Sequence, residues 1–204
     1  MSRPSQRPEI VRRQRRTDDG SSFKLVVTGP FSAGKTTFIR TISEGDVLDT
    51  DRAVTDGSRH RKPQTTVAMD FGRLSFGEGL TLQLVGTPGQ QRFDVMWEIL
   101  AQGMLGFVLL IDPSAPEAFA EAGLILDSFK RYGDVPFVVA VSHLDGASTQ
   151  PQTDLRRVRR RLALPAEAQV VACDARSKAD VKNVVLKLLN EIMTRSSAGS
   201  VATG

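Results

Sequence analysis

Between a short apolar run, Phe23-Lys24-Leu25-Val26-Val27-Thr28, and a helix-forming run, Thr37-Phe38-Ile39-Arg40-Thr41-Ile42, lies Gly29-Pro30-Phe31-Ser32-Ala33-Gly34-Lys35-Thr36. That segment fits G-x-x-x-x-G-K-[ST], and strand, loop and helix are the setting this spacing requires. Glycines at its two ends let the backbone wrap closely around a phosphate, with successive N–H groups pointing inward. The helix that follows adds the positive end of its dipole. Lys35 is expected to reach the β- and γ-phosphates and the Thr36 hydroxyl to ligate Mg²⁺. The expected phosphate cradle is therefore Gly29, Phe31, Ser32, Ala33, Gly34, Lys35, Thr36 and Thr37.

The rest of the chain repeats that alternation. A strand is predicted over 23–28, a helix over 35–43, and a long polar loop over 45–64. Val67–Phe76 and Leu80–Val85 flank Gly77-Glu78-Gly79, a Gly-rich turn that predicts a hairpin. Met96–Gln102 reads as part of an amphipathic helix. Met104–Ile111 (MLGFVLLI) is a continuous apolar run of the kind buried on both faces of a sheet. Beyond it a helix is expected over 116–130, a buried strand over 136–141, and a basic helix over 153–162. A short strand at 170–173 and a helix over 177–193 complete the order, the last helix with residues 181, 184, 185, 188 and 189 on one apolar face. The expected class is α/β in three layers: a mostly parallel six-stranded sheet with one antiparallel strand and helices on both faces. Ligand should sit at the carboxyl ends of the strands.

The 204 residues suffice for one domain with a full core. No apolar run approaches the ~18 residues of a transmembrane helix, and the Arg-rich N-terminus lacks the apolar segment of a secretory signal. A single cysteine, Cys173, forbids an internal disulfide and suits a reducing cytoplasm; it reads as a small buried apolar residue. Two histidines, His60 and His143, are too few for a zinc cluster. Residues 1–22, with Arg3, Arg7, Arg12, Arg13, Arg15 and Arg16, read as a disordered basic arm. It is either a solvated tail or a contact for anionic lipid at the inner face of the membrane, or for an acidic partner. Residues 196–204 read as a disordered small-residue tail, leaving 23–195 as the folded domain. Arg156, Arg157, Arg159, Arg160 and Arg161 form either a solvated helix face or a docking patch. Nucleic acid is not expected as a partner, because aromatic interleaving is absent.

Four further segments resemble the signature loops of small Ras-like GTPases. Gln64-Thr65-Thr66-Val67 stands at the first switch, and Gly86-Thr87-Pro88-Gly89-Gln90-Gln91-Arg92-Phe93 resembles the second. Ser142-His143-Leu144-Asp145 stands at the guanine-reading loop and Cys173-Asp174-Ala175-Arg176 at the loop after the last strand. The phrases at 66–72, 86–90 and Met96-Trp97 look like the Ras-like GTPases of bacterial conservon operons, a group similar to the gliding-motility GTPase MglA. The resemblance implies a Ras-like G domain that binds GTP and GDP with Mg²⁺ and hydrolyses GTP, switching between two states. It implies a Roadblock-type partner and a sensor-kinase-like one. By that resemblance Thr66 would ligate Mg²⁺, and Gly89 would give its N–H to the γ-phosphate. Gln90 would orient the attacking water. Asp145, with His143 beside it, would read guanine, Ala175 would offer its backbone N–H to guanine O6, and Arg176 would lie beside the base.

Three positions depart from the family pattern. Gly86 stands where an Asp usually holds Mg²⁺ through water; Asp70 or Asp112 are the candidate substitutes, Asp112 also reading as a helix N-cap. Phe31 stands where many relatives have Gly, either crowding the path of an arginine finger or packing over the nucleotide, so slow intrinsic hydrolysis and stimulation by a partner are expected. Ser142 and His143 replace Asn and Lys, and Asp145 before Gly146 also reads as a plain turn residue. Trp97 suits a core anchor or a partner contact. A nucleotide-binding scaffold with little hydrolysis is the competing function.

Overall fold

The computed structural model describes residues 21–45, 48–49, 69–76, 79–88, 99–142 and 151–201. In chain order the elements are β1 (Ser21–Thr28), α1 (Lys35–Ile42), β2 (Leu48–Asp49), β3 (Asp70–Phe76), β4 (Leu80–Gly86) and β5 (Met104–Ile111). They continue as α2 (Ala118–Lys130), β6 (Phe137–Val141), α3 (Pro151–Arg161), β7 (Gln169–Ala172) and α4 (Lys178–Val201). Residues 99–101 are also helical, inside the expected 96–102 segment. The strands form one sheet in the order β2-β3-β4-β1-β5-β6-β7.

β3 runs antiparallel to both of its neighbours, and every other pairing is parallel. One strand is therefore reversed, as expected of the class. The sheet has seven strands rather than six, because Leu48–Asp49, read as loop, adds a two-residue edge to β3. So short and polar a segment carries no period for a sequence reading to detect.

Strand alternation divides the core into two layers. Leu25 and Val27 of β1, Val108 and Leu110 of β5, and Val138 and Ala140 of β6 pack against α1 and α4. Val26, Leu109, Ile111, Val139 and Val141 face the other way, against α2 and α3. Strands that present apolar side chains to both faces need helices on both, which is the reason for the three layers. α4 buries Val181, Val184, Val185 and Leu188 fully, with Leu189 half-buried, on the face the spacing predicted.

Two helices are longer than expected. α3 starts at Pro151, a residue suited to the first helical position because its missing N–H would have no partner there. α4 continues through residues 196–201, which the small-residue composition had marked as tail. The hydroxyls of Thr194, Ser196 and Ser197 donate to the carbonyls of Asn190, Ile192 and Met193 at 2.9, 2.9 and 2.8 Å, so these residues are satisfied within the helix. Arg195 ties the same stretch to Glu191 at 2.8 Å and to Asp134 ahead of β6 at 2.6 Å. No helix among the described residues is long and apolar enough to cross a membrane.

The arginine-rich helix is less available than its composition suggests. Arg157 and Arg161 lie over the Phe119 ring of α2, 5.5 and 4.4 Å from its centroid. Arg159 donates to the carbonyls of Pro165, Ala166 and Ala168, closing the turn into β7. Three of the guanidiniums thus help to hold α3 in place, while Arg156, Arg157, Arg160 and Arg161 are all exposed.

On the α2 face the Phe107 ring lies 4.8 Å from Phe129 and 5.2 Å from Phe137, and Tyr132 meets Phe129 edge-on at 6.4 Å. Phe129 is fully buried. Phe129→Ala is expected to lower stability by about 3–5 kcal/mol, measured as a drop in the urea midpoint at unchanged slope.

Candidate phosphate site

β1 ends between β4 and β5, where the order of connections reverses, and the P-loop leaves from that point. Gly29 is forced there. Its φ is +145°, and a Cβ on it would stand 2.2 Å from the Leu110 carbonyl oxygen. Farther along, Ser32 and Gly34 adopt φ values of 62° and 97°, the left-handed turns that gather amide groups into an anion-binding concavity. Gly34 caps α1 without a side-chain bond, and the first turn holds no acidic residue. The N–H groups there are left for an anion.

Ala33 is buried and Ser142 holds it from behind. The Ser142 hydroxyl, itself buried, lies 2.9 Å from the Ala33 carbonyl and 3.3 Å from that of Ile111. A second buried brace joins Thr87 to Thr28: their hydroxyls are 2.9 Å apart, and the Thr87 amide donates to Val27 O at 2.9 Å. Sequence reading missed both braces, although a hydroxyl closing an apolar strand is the visible signal for each.

Lys35 folds back into the loop, its ammonium donating to Gly29 O at 2.9 Å and Pro30 O at 2.7 Å. Burial pushes its pKa down to about 8, against the attraction of Asp70 and Glu121. Glu121, in the first turn of α2, also accepts the Phe31 amide at 3.4 Å. Nothing in the sequence marked Glu121 for the site. The Phe31 ring itself is 68% exposed.

The Thr36 hydroxyl lies 2.5 Å from Asp70 Oδ2. Asp70 opens β3, one step beyond the Phe71–Val85 pair, so it comes level with Gly86. A Cβ on Gly86 would lie 3.2 Å from Asp70 Cβ, 3.4 Å from its Oδ2 and 3.0 Å from Ile39 Cδ1. The Asp70 side chain therefore occupies the space over Gly86. A hydroxyl and a carboxylate in contact are the hard oxygen donors Mg²⁺ takes, and such sites use one or two carboxylates completed by substrate phosphates and water. Thr36 and Asp70 fit that substrate-completed kind of site. Asp112 does not join them. Its Oδ1 accepts the amide and hydroxyl of Ser114 at 2.9 and 2.6 Å, closing the turn after β5, while α2 starts later at Ala118. It is not the cap of α2.

After β7, Thr41 of α1 donates to Ala175 O at 2.7 Å, bringing that loop to the P-loop helix. Arg176 pairs with Asp174 through Nε at 2.9 Å and Nη2 at 3.0 Å, and its amide bonds the same carboxylate at 2.9 Å. Cys173 is buried as expected, its thiol pushed up to about 12 by burial and by Asp180 and Asp174. Thr66, Gly89, Gln90, His143 and Asp145 lie outside the described residues.

Between pH 8 and 10.5 the unfolded chain carries a proton on Lys35 that the folded chain lacks, so the stability owed to this group rises with pH across that window. Below pH 8 its buried charge costs stability, up to about 3 kcal/mol. Lys35→Met is accordingly expected to stabilise the ligand-free protein at pH 7 and to lose that advantage by pH 10.5. Denaturant titrations at the two pH values measure it.

Residues 42–195 match the family described as conserved hypothetical ATP binding protein. The match opens on the last residue of α1 and runs through nearly all of α4, taking in Asp70, Glu121 and the 173–176 loop. The cradle at 29–36 lies just upstream of the matched span, joined to it by α1. With most of its length matched and the phosphate loop seated at the head of the sheet, the chain belongs to this family of nucleoside triphosphate-binding proteins with a P-loop-type fold.

Proposed function

We propose that the protein is a GTP-binding switch that hydrolyses GTP to GDP and phosphate with Mg²⁺. The observation that carries the nucleotide chemistry is the convergence of Lys35, Thr36 and Asp70 at one loop. The cradle amides and Lys35 take the phosphates. Thr36 and Asp70, with Thr66 of the first switch, would hold Mg²⁺, which would supply charge neutralisation to the phosphates. Gly89 and Gln90 are assigned the γ-phosphate and the attacking water. Preorganised positioning and charge of this kind carry most of the catalysis of phosphoryl transfer.

Guanine is the proposed base because the Asp145 carboxylate can accept both the N1–H and the exocyclic amine of guanine, a pair adenine does not offer. The family's description names ATP, so adenine is the alternative to be tested. The membership in a conservon-type, MglA-like group remains part of this proposal, as do the Roadblock-type and sensor-kinase-like partners. So does peripheral contact of the basic arm with an anionic membrane from the cytoplasm. A non-hydrolysing scaffold draws its support from Gly86, and the Asp70 carboxylate beside that glycine weighs against it.

Calorimetry of the nucleotide-free protein with GDP and with ADP, each with and without Mg²⁺, tests the reading. GDP should bind at least about tenfold tighter than ADP, a difference of ~1.4 kcal/mol. Asp70→Asn should lose the Mg²⁺-dependent part of the affinity while leaving the metal-free part intact. Equal binding of both nucleotides would remove the guanine assignment, and no binding would remove the switch. Turnover should fall in Gln90→Leu with nucleotide affinity retained; an unchanged rate would sink the catalytic assignment.

A further inference from the structure

We propose that Glu121 is a nucleotide-release residue: its carboxylate, lodged against the P-loop, opposes the phosphates that the loop attracts and keeps bound nucleotide exchangeable. The inference rests on the nucleotide reading above and adds a residue to the site.

Two carboxylates face Lys35, Asp70 and Glu121, and their surroundings differ. Asp70 is met by the Thr36 hydroxyl and belongs to a donor set that suits a divalent cation. Its charge has a counter-charge when nucleotide arrives with Mg²⁺. Glu121 is reached by a backbone amide, that of Phe31, at 3.4 Å. This length marks a weak bond, one that orients more than it stabilises. The amide belongs to the same loop whose N–H groups are to receive phosphate, so the Glu121 carboxylate sits as an internal anion at the rim of the anion site.

The carboxylate has little freedom to leave by moving its backbone. Ala118, Ala122, Ile125 and Leu126 are all buried against the sheet, fixing the face of α2 on which Glu121 lies. The Glu121 amide is bonded to Glu117 O at 3.0 Å. A like charge held within several ångströms of a polyphosphate repels it by more than thermal energy at the dielectric of a protein surface. In the empty site the same charge helps to hold the Lys35 ammonium. Glu121 therefore favours the empty loop and disfavours the filled one, and the penalty grows with the number of phosphate charges.

The test compares full-length wild type with Glu121→Gln and Glu121→Ala. Glutamine keeps a carbonyl acceptor for the Phe31 amide and removes only the charge. Release of a fluorescent GDP and the affinities for GMP, GDP and a non-hydrolysable GTP analogue are measured with Mg²⁺ at low salt and at ~0.5 M salt, where surface charges are largely screened. ADP and its analogues replace the guanine series if adenine is the base bound. The expected result is release slowed and affinity raised on the order of tenfold at low salt, more for three phosphates than for two and least for one, with the gain shrinking at high salt. Glu121→Ala should move in the same direction. Unchanged or weaker binding in the glutamine variant overturns the inference and leaves the nucleotide reading standing. A gain equal for all three nucleotides and insensitive to salt also overturns it, since that is the mark of a repacked loop. Absence of binding in every protein overturns the nucleotide reading and this inference together.

Discussion

The contact between Gly29 and the Leu110 carbonyl determines where everything else in the site can be. β1 is flanked by β4 and β5 along its length, and it can turn out of the sheet only where its backbone clears its neighbour. A residue with no Cβ meets that condition at 29, where any side-chain carbon would lie 2.2 Å from the Leu110 oxygen. The buried Thr87 hydroxyl after β4 holds Thr28 at the end of β1, and the buried Ser142 hydroxyl after β6 holds the turn that follows at Ala33. Three strands thus contribute to the rigidity of one loop. That is the preorganisation an anion site needs if its amide groups are not to collapse onto other acceptors.

Charge at the loop is arranged around Lys35. The ammonium is satisfied by carbonyls of its own loop and attracted by two carboxylates, yet burial still lowers its pKa to about 8. Desolvation outweighs the attraction. A buried cation left short of negative charge in this way is a site whose ground state favours an incoming anion. Burial of a charged ammonium is expected to cost folding stability below that pKa, so this side chain works against the fold that holds it.

Much of this was legible in advance, and what was not has physical reasons. The P-loop, the Met104–Ile111 strand and the apolar face of α4 all carry strong periodic or spacing signals, and the structure places them within a residue or two of expectation at most of their ends. The two-residue β2 was missed because its strand character comes from pairing with β3 and not from its own residues. The end of α4 was missed because serine and glycine lower helix propensity, whereas hydroxyl back-bonds and the Arg195 ion pairs are tertiary or conformational and leave no mark in composition. Glu121 was missed for a similar reason. An acidic residue in the first turn of a helix is ordinary in sequence, and only the packing of α2 beside the P-loop gives it a role.

Asp70 and Gly86 show how a sheet can relocate a functional group. The two residues are far apart in sequence, but antiparallel pairing of β3 with β4 sets them side by side at the same end of the sheet. From there the Asp70 carboxylate of β3 reaches the Thr36 hydroxyl. A Cβ at 86 would come within 3.2 Å of the Asp70 Cβ and 3.0 Å of Ile39, so a side chain there would need its neighbours to give by a few tenths of an ångström. The glycine therefore leaves a gap at the end of β4. It is the space that the Asp70 side chain occupies, and the two positions have to be read as a pair. A motif read along one strand registers only the glycine at 86, whereas the register of the hairpin sets the Asp70 carboxylate beside it.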